Sequence, residues 1–167
     1  MAVDSKALRM TMRQWATGVT VVTTVAGDER AGMTVSSFTS VSLDPPTVLV
    51  CLNKESYAHV LVKRSGIFAI SMLGVGQEAL SNRFAGLDPA ITDRFEGLNL
   101  TTAQTGCPLL PGAIGWLDCI VRSEHDTYTH TIFIGEVVFA QRDAERAPLV
   151  YHNRSYHALV AVETSKT

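Results

Sequence analysis

Short runs of apolar and β-branched residues, separated by turn-forming residues, fill most of this chain, which is the pattern of consecutive strands. Helices are predicted in three segments, near Leu8 to Trp15, at Ala58–Arg64 and at Gln77–Ala85. Because the strand-like runs follow one another through short turns rather than helical crossovers, the pattern favours an antiparallel barrel with a few peripheral helices over a doubly wound sheet. The predicted strands include Gly18–Val25, Gly66–Leu73, Gly115–Glu124, His130–Gln141 and Pro148–His152.

Residues 31–53 contain two more strand-like runs, joined by Asp44-Pro45-Pro46, which forbids helix and fixes a turn. Small side chains in the first run leave the backbone open to close approach, and Val35 and Phe38 supply apolar anchors. The second run, Thr47–Leu52, is predicted to be a strand buried on both faces. Such a segment suits a flat ligand with a polar edge. The hydroxyl residues of the first run are Thr34, Ser36, Ser37, Thr39, Ser40 and Ser42.

The second run ends abruptly at Asn53-Lys54-Glu55-Ser56-Tyr57. Ser56 is predicted to cap the N-terminus of the helix that follows, with Lys54 beside it. A helix N-terminus together with an ammonium group attracts anions, so we expect a phosphate here. The alternative interpretation is an ordinary capped helix without a ligand.

Length and composition indicate one domain, residues 1–167, with a substantial core and a small-molecule or protein partner. The 167 residues are 18% charged and 46% hydrophobic with a net charge of −2, so charge gives no reason to expect a nucleic acid or an anionic membrane as partner. A chain with so few charged and so many hydrophobic residues is expected to have apolar surface that a second subunit covers, which favours a homodimer. Apolar runs are cut by Gly, Pro or charge and the N-terminus lacks a signal-peptide core, so a soluble cytoplasmic protein is expected. Cys51, Cys107 and Cys119 are expected to be reduced core thiols.

Motifs for other chemistries fail on their context. Gly74–Ala79 matches the dinucleotide fingerprint G-x-G-x-x-A, but no second apolar strand follows its helix to carry the acidic residue. Two histidine pairs, 125/130 and 152/157, are spaced by five, which places neither pair on one face of a strand or helix, so no metal site is predicted. Neither a G-x-S-x-G elbow nor an acid/base pair is visible. A bound cofactor that carries out the chemistry would explain why no catalytic motif is visible.

Four segments of the chain, taken in order, resemble the short-chain flavin reductases. They are Met12–Thr24, Gly32–Phe38, Ser42–Pro46 and Thr131–Val137, and the match extends from about residue 8 to residue 160. The resemblance implies an FMN-binding antiparallel split β-barrel, mainly β with a few short helices, that forms a homodimer. It also implies a reductase component of a two-component flavin-dependent monooxygenase, which reduces FMN or FAD with NADH or NADPH.

The same resemblance implies where the flavin binds. One strand contacts the isoalloxazine edge through backbone amides, a second strand lines the opposite side, the helix start holds the phosphate, and a later helix covers the ribityl chain. Helix packing is the alternative role for the last group. In that order, the residues are Thr34, Val35, Ser36 and Ser37; Cys51, Leu52 and Asn53; Lys54, Ser56 and Tyr57; and Arg83 and Phe84.

The expected nicotinamide site departs from the family pattern. The family commonly has Gly-Asp-His before the Thr-Ile-Phe-Ile-Gly strand, whereas this chain has Tyr128-Thr129-His130. The resemblance makes His130 the candidate catalytic and nicotinamide-binding residue, with Arg154 and Tyr156 flanking the nicotinamide. The loss of the Gly and the carboxylate puts nucleotide preference and turnover in question. His130 could instead begin a strand, and Tyr156 could pack at a dimer edge.

The leading hypothesis is therefore an NAD(P)H:flavin oxidoreductase that supplies reduced flavin to a partner monooxygenase. One alternative is a flavin-binding protein without efficient nucleotide turnover. Another is an oxidoreductase of a different small substrate that uses bound FMN as a prosthetic group.

Overall fold

A computed structural model describes residues 3–143 and 146–162 of the chain. The helices are α1 (Ser5–Met12), α2 (Tyr57–Ser65) and α3 (Glu78–Ala85). The strands are β1 (Thr17–Gly18), β2 (Thr20–Ala26), β3 (Glu29–Val35), β4 (Phe38–Leu43), β5 (Pro46–Asn53), β6 (Ile67–Met72), β7 (Gly115–Asp126), β8 (His130–Arg142), β9 (Val150–His152) and β10 (Ser155–His157).

Seven strands form one large sheet in the order β3-β2-β6-β7-β8-β5-β4, and each neighbouring pair is antiparallel. The two edge strands, β3 and β4, are consecutive in sequence and are separated only by Ser36 and Ser37. The sheet therefore curls round until its edges approach, and the Cys51 amide donates to the Ser37 carbonyl at 3.3 Å, which extends the β4–β5 pairing to the residue before β4. This arrangement confirms the predicted mainly β, antiparallel split barrel with peripheral helices.

A small second sheet, β1-β9-β10, joins the N-terminal part of the chain to its C-terminal part. Thr17 pairs with Tyr151 and Gly18 with Val150, while β9 and β10 form a two-residue hairpin. Its turn residues Asn153 and Arg154 both have positive φ, 46° and 68°. This is the geometry of a type I′ turn, which follows the twist of the hairpin but is strained for a residue with a side chain.

The core has two main parts. Inside the curled sheet, Val22, Val50, Phe68 and Phe133 are fully buried, since alternate residues of the strands point inward. Between the sheet and α3, a second cluster is built round Phe84, with Val21, Leu73, Phe95, Leu110 and Leu149. Burial of these side chains fixes α3 across β3 and thereby shapes the surface that the next section describes.

Several predicted elements differ from the observed ones. The run expected as one strand before Asp44 is two strands, because the chain turns at Ser36–Ser37 from one edge of the sheet to the other. Strand β5 alternates between fully and half-buried residues instead of being buried on both faces. Helix α1 ends at Met12, short of Trp15, and β10 was not predicted. The residues after α3 lead to β7, which is antiparallel to β6, so Gly74–Ala79 does not open a dinucleotide-binding unit.

One of the two histidine pairs lies closer together than its spacing suggested. The rings of His152 and His157 are 5.8 Å apart between centroids, because the two residues lie on the neighbouring strands β9 and β10. The spacing argument had assumed that both residues lie on one continuous element. In the described ranges, no His, Cys, Asp and Glu side chains are grouped for a metal ion. The three cysteines are free, and burial raises the pKa of Cys107 to about 11 and of Cys119 to about 12. Among the described residues, no helix is long and apolar enough for a membrane span.

Candidate functional site

Three adjoining cavities follow β3 and together form one groove. The helix-end cavity, of about 560 Å³, lies where α2 begins. The central cleft, of about 320 Å³, shares Thr34 and Ala85 with it. The arginine pocket, of about 440 Å³, shares Ser36, Tyr151 and Arg154 with the central cleft. The groove therefore runs from the start of α2, along β3, to the β9–β10 hairpin, and each part has a volume typical of small-molecule sites.

Strand β3 offers backbone hydrogen-bonding groups to this groove because it is an edge of the sheet. The Gly32 carbonyl accepts a hydrogen bond from Arg94 Nη1 at 3.1 Å, so it points away from β2. Residues two apart on a strand share this orientation, and the N–H and C=O of Thr34 therefore face the open edge as well. These groups suit the polar edge of a flat ring.

Gly32 lets α3 come close enough to form the wall of the helix-end cavity. A Cβ atom at this position would lie 2.7 Å from Phe84 Cε1, which is far inside van der Waals contact. The Phe84 ring is buried and stacks edge-on with Phe95 at 5.1 Å between centroids. Thr34 Oγ1 donates to the Ser81 carbonyl at 2.7 Å and ties the same helix to β3.

The predicted phosphate site lies at the beginning of α2. Ser56 caps the helix, since its Oγ accepts from the His59 amide at 3.2 Å and donates to the Asn53 carbonyl at 2.7 Å. Tyr57 lines the helix-end cavity, and its hydroxyl donates to the Glu29 carboxylate. This hydrogen bond raises the pKa of Tyr57, and together with Arg64 it lowers the pKa of Glu29.

Lys54 lies elsewhere than the sequence suggested. Its Nζ donates to the Thr127 carbonyl at 2.7 Å and is 3.7 Å from Asp126 Oδ1, at the turn between β7 and β8. Lys54 lines none of the three cavities. The turn carbonyl and carboxylate hold the ammonium away from the groove, and a phosphate contact by Lys54 stays a prediction.

The predicted ring-contacting residues line the groove only in part. Thr34, Val35, Ser36 and Ser37 border the central cleft or the arginine pocket, and Ser37 Oγ is fixed by the Cys51 carbonyl at 2.8 Å. On β5, the Leu52 side chain is fully buried in the core, and Cys51 and Asn53 are half-buried outside the three cavities. Burial raises the pKa of the Cys51 thiol.

Arg83 and Phe84 have different positions although they are neighbours. Phe84 lines the helix-end cavity, whereas Arg83 Nη2 donates to the carbonyls of Asp93 and Glu96 at 3.2 and 2.6 Å. Arg83 thus braces the loop that carries Arg94 and forms the far wall of the cavity. Its buried Nε has no hydrogen-bond partner among the described residues.

Two of the three predicted nicotinamide contacts border the groove. Arg154 and Tyr156 line the central cleft, where the Tyr156 hydroxyl lies 2.9 Å from Ser81 Oγ and 2.7 Å from Asn82 Oδ1. His130 does not line any of the three cavities. It pairs with Asn53 across β5 and β8, and its Nδ1 lies 2.9 Å from Thr129 Oγ1.

The groove as a whole has features that fit a flavin nucleotide. Its centre offers the open backbone of an edge strand, and one end has a capped helix N-terminus beside aromatic rings. These features match a tricyclic ring with a phosphate on one side.

Comparison with known proteins decides the family. The family model described as a flavin reductase like domain matches residues 12–160. This chain belongs to that family. The FMN reductase (NADH) of Ancylobacter novellus is 39% identical to this chain over 95% of this chain and 87% of that protein. The reductase subunit of a flavin-dependent monooxygenase from Rhodococcus jostii is 34% identical over 99% of this chain and 82% of that protein.

A solved structure of the family has the same fold. The NADH:FAD oxidoreductase of Streptomyces globisporus superposes with a TM-score of 0.87 and 36% identity, covering 96% of this chain and 98% of that chain. The predicted resemblance to flavin reductases is confirmed by these comparisons.

Sequence reasoning missed the residues that complete both ends of the groove. Arg30, Asp93, Arg94 and Phe95 line the helix-end cavity, and Arg9, Arg13 and Trp15 line the arginine pocket. They come from an edge strand, an irregular loop, and the first helix with the residues directly after it, so no local spacing connects the three groups. An Arg-Phe pair at 94–95 after a stretch without periodicity was the only local signal.

Proposed function

We propose that this protein is a flavin reductase that reduces FMN or FAD with NADH or NADPH and releases the reduced flavin to a partner monooxygenase. The observation that carries the proposal is the continuous groove along the open edge of β3, which begins at the N-terminus of α2. Family membership supports the same chemistry, since relatives are named FMN reductase (NADH) and NADH:FAD oxidoreductase.

The three parts of the flavin nucleotide, its ring, its ribityl chain and its phosphate, each have a proposed place in the groove. The isoalloxazine ring lies in the central cleft, where the backbone of Thr34 to Ser37 contacts its polar edge. The ribityl chain passes Phe84 and Gly32, and the phosphate reaches the amides at the start of α2. Ser56 supports this site by fixing the helix end, since its hydroxyl is already used by Asn53 and His59.

The nicotinamide is placed on the solvent side of the cleft, flanked by Arg154 and Tyr156. The hydrogen bonds from Tyr156 to α3 support this position because they hold the aromatic ring at the cleft wall. Once both ligands are bound, hydride transfer from nicotinamide C4 to flavin N5 is the chemistry of the cofactors, and the protein has to position them and exclude water.

His130 remains the predicted catalytic residue, and we propose that it acts in a homodimer. Thr129 engages one ring nitrogen and leaves the other for a ligand, but His130 lies outside the groove of its own chain. A second subunit would have to bring its β7–β8 turn to the groove. Exposed apolar side chains that a subunit interface would cover support the dimer; they are Leu8, Met10, Met12, Val41, Leu43, Leu159, Val160 and Val162. We place this dimer in the cytoplasm.

Anaerobic stopped-flow mixing of the purified protein with FMN or FAD and NADH or NADPH tests the proposed activity. We expect the visible flavin absorbance to bleach far faster than without protein, with at least one nucleotide. His130→Ala should slow bleaching while leaving flavin affinity unchanged. Tight flavin binding without bleaching by either nucleotide would overturn the reductase assignment and favour a flavin-binding protein. Light scattering after gel filtration measures the oligomeric state.

A further inference from the structure

The arginine pocket differs from the rest of the groove in its charge. Arg9 and Arg13 reach it from α1, and Arg154 reaches it from the β9–β10 turn. None of its described lining residues is acidic, and none of these three arginines forms an ion pair within residues 3–143 and 146–162. Uncompensated guanidinium groups converging on one cavity of about 440 Å³ indicate an anionic ligand.

Aromatic side chains give the same pocket a flat apolar surface. Trp15 is 68% exposed and Tyr151 is 38% exposed, and both line the pocket. Exposed rings beside arginines provide a stacking surface for a nucleobase next to a phosphate site. The ligand therefore combines phosphate with a base.

The backbone at Arg154 shows that this arginine is held at the pocket against local preference. Both turn residues, Asn153 and Arg154, have positive φ, and glycine is the usual second residue of such a turn. The Asn153 amide donates to the Arg13 carbonyl at 3.0 Å, so the turn is attached to the end of α1. The turn and the helix that carry the arginines thus form one unit.

We propose that the arginine pocket binds the adenosine diphosphate half of the pyridine nucleotide, with Arg9, Arg13 and Arg154 contacting its phosphates. This inference rests on the proposed function, which places the flavin phosphate at the opposite end of the groove. The adenylate of an FAD would leave the groove at the α2 end, whereas the arginine pocket adjoins the nicotinamide side of the cleft. The nicotinamide nucleotide is therefore the ligand whose second half reaches this pocket.

ADP-ribose, which lacks the nicotinamide, tests the inference without turnover. Calorimetric titration of the flavin-free protein should detect binding that weakens about tenfold when a charged hydrogen-bonding partner is removed by Arg9→Gln or Arg13→Gln. Arg122→Gln on β7 removes an equal charge far from the groove and should leave the affinity unchanged. ADP-ribose that does not bind to the wild-type protein, or binds equally to all variants, overturns the inference.

Arg154→Gly separates a binding role from a structural one. Glycine relieves the positive φ, so the melting temperature should be retained or rise while ADP-ribose affinity falls. A fall in melting temperature with unchanged affinity would make Arg154 structural and count against the proposal.

Titration with FMN and FAD distinguishes the two dinucleotides. If the arginine variants weaken FAD but neither FMN nor ADP-ribose, the pocket holds the flavin adenylate and the inference is wrong. Failure of the proposed function has a different signature, namely a wild-type protein that does not bleach flavin with either nucleotide, whatever the ADP-ribose result.

Discussion

The two ends of the groove use arginine in opposite ways. At the helix-end cavity, Arg30 pairs with Asp93 at 2.9 Å and lies over the Phe95 ring, while Arg94 donates to the carbonyls of Gly32 and Phe84. At the other end, the arginines of the arginine pocket have no carboxylate near them among the lining residues. The first end uses its arginines to hold its own walls in place, and the second leaves them to a ligand.

This difference suits a groove that binds two ligands, the flavin and the pyridine nucleotide, by different interactions. Walls fixed by internal hydrogen bonds cost little further ordering when a ring and ribityl chain bind. Exposed positive charge mainly raises the rate of encounter with an anionic partner and depends strongly on salt. We therefore expect flavin affinity to depend on packing, and nucleotide affinity to depend on electrostatics.

Gly32→Ala should break the packed end with the largest effect. The new methyl group would overlap the Phe84 ring, so α3 has to move, and overpacking of this kind costs about 1–3 kcal/mol. We expect a lower melting temperature and at least about a tenfold loss of FMN affinity, measured by fluorescence quenching. Gly18→Ala is the matched control, since nothing lies within 4 Å of its Cβ position in the same groove. Equal behaviour of the two variants would refute the packing argument.

Salt should have the next largest effect, and it should weaken nucleotide binding at the arginine pocket more than binding of the flavin ring. Raising ionic strength from about 0.01 M to about 0.5 M shortens the screening length severalfold, so the KM for NADH or NADPH should rise several-fold. Riboflavin, which lacks the phosphate, should bind with an unchanged Kd over the same range. A KM that does not respond to salt would show that the exposed arginines contribute nothing to nucleotide capture.

Ser56→Ala and Lys54→Met test which residue of the predicted phosphate site matters. Loss of the N-cap should lower the free energy of unfolding by about 1 kcal/mol and weaken FMN modestly through a frayed helix end. Lys54→Met should leave FMN affinity nearly unchanged, because Lys54 Nζ is held by the Thr127 carbonyl. Denaturant titration and flavin titration measure both variants. A large FMN loss in Lys54→Met alone would favour the sequence-based expectation over the geometry.

Low pH should lower the stability of the protein through His59 on α2, while the charge of the arginines stays the same. His59 on α2 is buried, and its Nε2 lies 2.8 Å from Thr131 Oγ1, which donates to Asp126. Burial, followed by the charge of Lys63, lowers the pKa of His59, against opposing contributions from Asp126 and Glu124. The unfolded chain therefore binds the extra proton first, and the free energy of unfolding should fall as pH drops below about 6.5.

His59→Gln provides the comparison for this pH effect, since glutamine can still donate to Thr131 but does not titrate. Urea denaturation at a series of pH values measures the free energy of unfolding, which should fall less steeply with decreasing pH below about 6.5 for the variant than for the wild-type protein. Parallel slopes would exclude His59 as the titrating group.

Sequence patterns predicted what depends on neighbouring residues and missed what depends on folding. β-branched runs, the turn at Pro45-Pro46 and the Ser56 cap are local signals, and the structure confirms the strands, turn and cap. The break at Ser36–Ser37 was missed because both flanking runs have strand character, so only the closure of the sheet decides between one strand and two. The arginine pocket was missed because Arg154 lies far along the chain from Arg9 and Arg13, and the β1–β9 pairing and the hydrogen bond from Asn153 to Arg13 bring the two parts together.

The β1–β9 pairing also determines the order in which the helix-end cavity and the arginine pocket can form during synthesis of the chain. The residues that line the helix-end cavity lie between Arg30 and Phe95, whereas the β1-β9-β10 sheet requires residue 157. Contacts between distant parts of a chain form late, so a nascent polypeptide should form the helix-end cavity before the arginine pocket. The central cleft needs the same late residues, since Tyr151, Arg154 and Tyr156 line it, so a ribosome-bound fragment that ends before residue 150 should lack the surface proposed for the ring.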